Sequence, residues 1–205
     1  MSNSPSRVVY FFDGFNFYHS LKEKHREYLW LDYWRLAEIF TPKTNKLSNV
    51  LLFTTYAKWR PESYMRHKKY LSVLRSRGVE IILGKFYKKM RGCQICGNLY
   101  EAHEEKQTDI NIAVSMLTWA IQDRFDELVI GSADSDLIPA IKALRSAHPD
   151  KKITLLFPLG RKSFDLKNLG LKVMHVKKKH LASSQLPREV RMNDGSVVKR
   201  PVNWS

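Results

Sequence analysis

An α/β fold is what this sequence predicts, a three-layer α/β/α sandwich around a mainly parallel, Rossmann-like central sheet, and three observations predict it. Short continuous apolar runs recur along the chain, helical patterns fall between them, and carboxylates stand where two of the runs end. Apolar runs bounded by turn signals read as strands buried on both faces, and their alternation with helices reads as stacked βαβ units.

Val8-Val9-Tyr10-Phe11-Phe12 is the first such run, ending in Asp13-Gly14, where a strand meets a turn. Gly14 there allows backbone conformations that a side chain would hinder. A helix is expected from about Asn16 to Glu27. Further strands are expected at Val50–Phe53, Val79–Leu83, Leu128–Ile130, Ile153–Phe157 and Leu171–Val176, with helices near 62–77, 107–123 and 136–147. From Lys85 to Glu105 the chain is basic, then cysteine-bearing, then acidic, and it reads as an excursion from the sheet. The main domain therefore spans 7–180, with a basic tail at 181–205 in which Asn193-Asp194-Gly195 signals a hairpin.

Composition narrows the partners. The 205 residues are 43% hydrophobic and 12% aromatic, enough for one sizeable core. Thirty-five Lys and Arg against 20 Asp and Glu give +15, a surplus that suits a polyanion: nucleic acid or an anionic membrane surface. No window approaches the roughly 18 apolar residues of a spanning helix, and the first residues do not resemble a secretory signal. The expectation is a cytoplasmic protein that meets nucleic acid and no membrane.

Four aspartates carry the chemistry. Asp13 ends the first strand; Asp134 and Asp136 follow the run Leu128-Val129-Ile130 in Gly131-Ser132-Ala133-Asp134-Ser135-Asp136. In open α/β sheets that edge is where ligands bind. Asp109 opens a helix and, at spacings of three, four, seven and eleven, shares the apolar stripe of Ile112, Ala113, Met116 and Ala120. Each aspartate alone could be a helix cap or a first-turn acid favoured by the macrodipole. Together they are harder to explain so. Carboxylates 4 Å apart repel by about 4 kcal/mol at an effective dielectric near 20. A hard divalent cation, Mg²⁺ or Mn²⁺, is the natural counterweight, as it prefers oxygen donors.

Strand-Asp13-Gly14-Phe15-Asn16, Lys106-Gln107-Thr108-Asp109-Ile110-Asn111-Ile112-Ala113 and Val129 to Ile141 resemble the three signature blocks of the NYN-domain proteins, a branch of the PIN-like ribonucleases. The resemblance covers about residues 7–180. It implies the α/β/α sandwich, a metal site and catalytic centre of Asp13, Asp109, Asp134 and Asp136, and Asn16 and Ser132 close by on the substrate side. It also implies metal-assisted hydrolysis of single-stranded or structured RNA, leaving 5′-phosphate and 3′-hydroxyl ends. Lys106, one turn before Asp109, is a candidate phosphate contact.

Cys93-Gln94-Ile95-Cys96-Gly97 has the spacing of a zinc knuckle, which holds one side of a tetrahedral ion. His103 is the nearest candidate for a third ligand of a structural Zn²⁺, with another histidine or a second subunit to complete it; a reduced, metal-free turn is the alternative. Cations interleave with aromatics around Lys58-Trp59-Arg60, in the helix carrying Arg66, Lys68 and Lys69, and at Lys85-Phe86-Tyr87-Lys88, a pattern that suits single-stranded RNA. For any one of them a solvated helix face is the better explanation, and only the collective charge is persuasive.

The function these features point to is a metal-dependent endoribonuclease. The alternative is an RNA-binding module of the same fold that does not cut. A haloacid-dehalogenase-like phosphatase would want a second Asp at position 15, which is Phe, and a toprim-like enzyme a Glu where Asp13 stands. A homo-oligomer or a regulatory protein partner stays open.

Overall fold

A computed structural model of the chain describes residues 4–204. Six strands form the central sheet: β1 (Arg7–Asp13), β2 (Lys46–Thr54), β3 (Val79–Leu83), β6 (Glu127–Gly131), β7 (Lys152–Phe157) and β8 (Lys172–His175). Their order is β3-β2-β1-β6-β7-β8 and every pairing is parallel. Two strands outside the sheet, β4 (Lys85–Gly92) and β5 (Leu99–Lys106), form an antiparallel hairpin between β3 and the next helix.

Alternation of side chains sorts the sheet into two faces. Val8, Tyr10, Phe12, Val50 and Leu52 face α1 (Gly14–Leu21), α2 (Tyr33–Phe40) and α3 (Pro61–Ser76). Val9, Phe11, Leu51 and Phe53 face α4 (Thr108–Ile121), α5 (Ile138–Ala147) and α6 (Phe164–Lys167). The three layers expected from the sequence are present, with a core on each side of the sheet.

Several boundaries moved. The first helix ends at Leu21, not near Glu27, because Lys22 to Arg26 offers no apolar residue to bury; a short 3₁₀ turn at Arg26–Tyr28 follows. Helix α2, unanticipated, is capped by Asp32, whose carboxylate accepts from Arg35 N and also pairs with Arg77. The tail forms the expected hairpin, β9 (Glu189–Arg191) against β10 (Val197–Lys199), with Gly195 at φ +81° in its turn. It packs on the α1–α3 side: α7 (Lys178–Ser183) buries Leu181, and the Trp204 ring meets Trp30 and Tyr70.

The excursion at 85–105 owes its charge pattern to cross-strand pairing. Lys88 bonds Glu101 at 3.2 Å, and Glu104 collects Lys89, Arg91 and Lys106. A basic strand beside an acidic one neutralises itself. No helix among the described residues is long and apolar enough to cross a membrane.

Candidate metal centre

Counting only the sheet strands, the order is 3-2-1-4-5-6, and the chain reverses direction across the sheet between β1 and β6. The crevice beyond the carboxyl ends of strands at that switch point is where open α/β sheets place ligands. Asp13 is the last residue of β1, and Ser132-Ala133-Asp134 leaves β6 beside it.

Two close approaches make this edge possible. A Cβ on Gly131 would stand 2.5 Å from Phe12 Cδ1, and one on Gly14 would stand 2.8 Å from the Phe53 carbonyl. Gly14 is therefore required by contact with β2 rather than by an unusual backbone angle.

Hydrogen bonds then aim the acids. Asp13 Oδ1 caps α1 by accepting from Asn16 N at 3.0 Å, while Oδ2 accepts from the buried Ser132 hydroxyl at 2.9 Å. The same hydroxyl accepts from Asp134 N at 3.1 Å, and Asn16 Oδ1 accepts from Ala133 N at 3.2 Å. Asn16 and Ser132 thus clamp the two strand ends together. Asp134 caps the 3₁₀ turn at Ser135–Leu137 by accepting from Asp136 N. Capping and clustering coexist in one carboxylate because each has two oxygens.

Asp13, Asp109 and Asp134 each offer an oxygen, all within 4.8 Å of one another. Asp109 is brought in from the first turn of α4, which follows Gln107 at φ +78°. Asp136 does not join the three: it lies exposed on the 3₁₀ turn, although its charge still acts on Asp109. The expected four-acid set is thus a triad with an outlying fourth acid, because a short turn cannot aim both Asp134 and Asp136 the same way.

Electrostatics show a site short of positive charge. Burial, then the charges of Asp13, Asp134, Glu105 and Asp136, pushes the Asp109 carboxyl up to about 6. Burial also raises Asp13, 4% exposed, against the opposing hydrogen bonds from Asn16 and Ser132. Three convergent oxygens with unmet repulsion fit a hard divalent cation.

The cleft, about 280 Å³, is also lined by Phe15, His19, Glu105, Thr108 and Arg161. Glu105 accepts from both the amide and the hydroxyl of Thr108, holding the start of α4. Arg161, the one Lys or Arg in this lining, follows β7 at the same sheet edge. His19, Glu105 and Arg161 were missed in the sequence; for Arg161 the signal was its place just after an apolar run and Gly160.

Other expected site residues lie elsewhere. Lys106 pairs with Glu104 at 3.4 Å and is absent from the cleft lining. Lys88 is on the hairpin, Lys68 and Lys69 are exposed on α3, and Arg66 pairs with Glu62 and Ser63 on that helix. Cys93 and Cys96 share the hairpin turn, where backbone N–H groups of Cys96 and Ile95 draw the Cys93 thiol below its usual range. His103 cannot complete their set. It sits opposite Lys88 in the ladder, four residues or about 14 Å of strand beyond the turn, and stacks on Trp59 at 3.7 Å between centroids.

An open parallel sheet with an acidic triad at its switch point describes a nuclease-like α/β domain with a candidate metal site. The chain belongs to the NYN domain family, whose model matches residues 7–177, and members of that family are generally nucleases acting on RNA. It is 31% identical over 106 residues to the 6-hydroxy-3-succinoylpyridine 3-monooxygenase of Pseudomonas putida, a match covering 49% of this chain and 33% of that protein. The chain therefore aligns with about one third of that relative's length. The crystal structure of a Vibrio parahaemolyticus protein of unknown function shares the fold, with a TM-score of 0.63 and 18% identity, covering 91% of this chain and 99% of that one.

Proposed function

We propose that this protein is a divalent-metal-dependent endoribonuclease that hydrolyses RNA to 5′-phosphate and 3′-hydroxyl ends. The observation that carries the reading is the triad Asp13, Asp109 and Asp134 at the switch point of a chain bearing +15. Mg²⁺ or Mn²⁺ would be held by these three carboxylates and, when bound, would activate water and offset charge on the leaving oxygen. The protein supplies the alignment. Ser132 and Asn16 hold Asp13 and the β6 loop in one geometry, so little reorganisation is left to the reaction. Arg161, in the cleft wall, would meet a phosphate. The surface cations, Lys68 and Lys69 among them, would hold the strand without reading its sequence.

Two rival readings use the same molecule. An RNA-binding module that does not cut needs only the basic surface and predicts salt-sensitive affinity with no product. The Pseudomonas putida relative is named for a monooxygenase reaction on a substituted pyridine, and a small heteroaromatic acid in this cleft is the second; it gives no role to the large positive charge. Cys93 and Cys96 would furnish two ligands of a structural Zn²⁺ if a second subunit supplied the rest.

Incubating the purified chain with labelled single-stranded and hairpin RNA and DNA, with Mg²⁺, Mn²⁺ or EDTA, tests the proposal. Metal-dependent RNA cleavage that Asp134→Asn abolishes is the expected result. Equal cleavage by a carefully purified Asp134→Asn protein would overturn it.

A further inference from the structure

A second cavity, about 530 Å³, opens beside the acidic cleft, and the two share Phe15 and His19 in their walls. It lies between α1 and α3 at the carboxyl end of β2. Phe15 and Tyr18 come from α1, Tyr70 from α3, Trp59 from the loop after β2, and Phe86 from the hairpin; Trp204 reaches in from the tail. These rings are braced rather than loose. Trp59 is stacked on His103 and meets Phe86 edge-on at 4.5 Å, and Phe86 meets Phe15 edge-on at 5.7 Å. His103, the candidate third ligand of the cysteine pair, is thus a support for this wall.

One polar side chain of the wall, His67, has no hydrogen bond among the described residues. Its ring meets Tyr56, and burial pushes its imidazole down to about 4, so at neutral pH it offers one N–H donor and one acceptor. The Thr55 hydroxyl, which has no hydrogen bond among the described residues, is sealed from the cavity: it faces Gly84, where an added Cβ would stand 2.6 Å from it. Lys22, Arg26, Arg60 and Arg66 complete the lining with positive charge.

We propose, resting on the nuclease reading above, that this cavity takes the base of one nucleotide of the RNA strand whose backbone crosses the acidic cleft. Aromatic walls stack on an unpaired base, the His67 imidazole meets its edge, and the cations meet the flanking phosphates. The volume lies in the range of small-molecule sites, roughly 300–1,000 Å³, and it adjoins the triad through Phe15, so the bound base sets which phosphate meets the acids. Cleavage therefore falls at a fixed step from an unpaired nucleotide.

The experiment has two arms. Intrinsic fluorescence and calorimetry on the cleavage-silent Asp134→Asn chain follow binding of nucleoside 5′-monophosphates, ribose 5-phosphate and pyridine-3-carboxylate. Nucleotides should bind, ribose 5-phosphate at least tenfold more weakly, and Trp59→Ala should weaken nucleotides by about 5- to 150-fold, the equivalent of 1–3 kcal/mol of stacking. Equal binding of nucleotide and ribose 5-phosphate, or preference for the pyridine acid, overturns the proposal. In the second arm the unaltered protein cuts RNAs with one abasic site moved along the strand. Cleavage should drop at least tenfold at one fixed offset from the scissile bond; indifference to every abasic position overturns the base pocket and leaves the nuclease standing. Nucleotide binding that Trp59→Ala weakens, without cleavage under any metal condition, overturns the nuclease and leaves the pocket standing as a nucleotide site. The abasic scan decides the matter even where Trp59→Ala fails to fold.

Discussion

The buried Ser132 hydroxyl donates to Asp13 Oδ2 at 2.9 Å while accepting the Asp134 amide at 3.1 Å. One side chain thus couples the two strand ends that carry acids of the triad, and its removal separates alignment from charge. Ser132→Ala should destabilise the chain by about 1–3 kcal/mol, as buried groups lose their partners, and raise the Asp13 carboxyl further. The expected readout is a lower urea midpoint together with a higher half-saturating metal concentration and an acidic limb of the activity–pH profile moved to higher pH. An unchanged profile would mean that Ser132 serves the fold alone.

The triad and its outlying acid should behave differently. Asp13→Asn, Asp109→Asn and Asp134→Asn each remove a convergent oxygen and should lower cleavage by at least a hundredfold, whereas Asp136→Asn, at an exposed turn, should lower it by less than tenfold. Single-turnover cleavage with far-UV circular dichroism as a folding check distinguishes them.

Acidity offers a second test of the crowded carboxylates. In the folded chain Asp109 stands at about 6, above the ordinary value near 4 of an unfolded chain. Between those values the folded state binds more protons, so this group's contribution to stability falls as pH rises through the interval and stays low above it. Burial lowers His67 to about 4, which gives the opposite slope between about 4 and 6.5, so the comparison must be with Asp109→Asn in the same buffers. In EDTA the variant should melt higher than the parent at pH 7 and nearly level with it at pH 4. Mg²⁺ or Mn²⁺ should raise the parent's melting temperature at pH 7 far more than at pH 4.5.

Gly131 tests how closely α1 and β6 must approach. A Cβ there would meet Phe12 at 2.5 Å and Phe17 at 3.2 Å, both buried rings with no room to yield. Gly131→Ala should cost about 1–3 kcal/mol of stability and displace the Ser132–Asp134 loop, lowering both the chemical-denaturation midpoint and metal affinity.

The hairpin turn can be tested by metal analysis. If Cys93 and Cys96 hold zinc, Cys93→Ser removes the bound metal and lowers the assembly state, while His103→Ala leaves metal content unchanged, because that ring lies against Trp59. Loss of zinc on His103→Ala would contradict the distance along β5.

What the sequence determined by itself was local and periodic. Runs such as Val8–Phe12 have room for only one buried arrangement, and turn signals such as Asp13-Gly14 and Asn193-Asp194-Gly195 act over two or three residues, so strands, tail hairpin and the acids at the sheet edge were legible. Helix α2 was not, for Tyr33–Phe40 is short and its cap Asp32 is shared with Arg77, 45 residues on. Tertiary structure alone decided the rest: that Asp136 stays outside the triad of Asp13, Asp109 and Asp134, that Glu105 lines the cleft, that Lys88 and Lys106 are engaged by acids of the hairpin, and that His103 braces Trp59 far from the cysteines. Side-chain direction at a turn, and contact between residues distant in the chain, depend on how helices and hairpin pack across the sheet, and no local pattern of residue types carries that information.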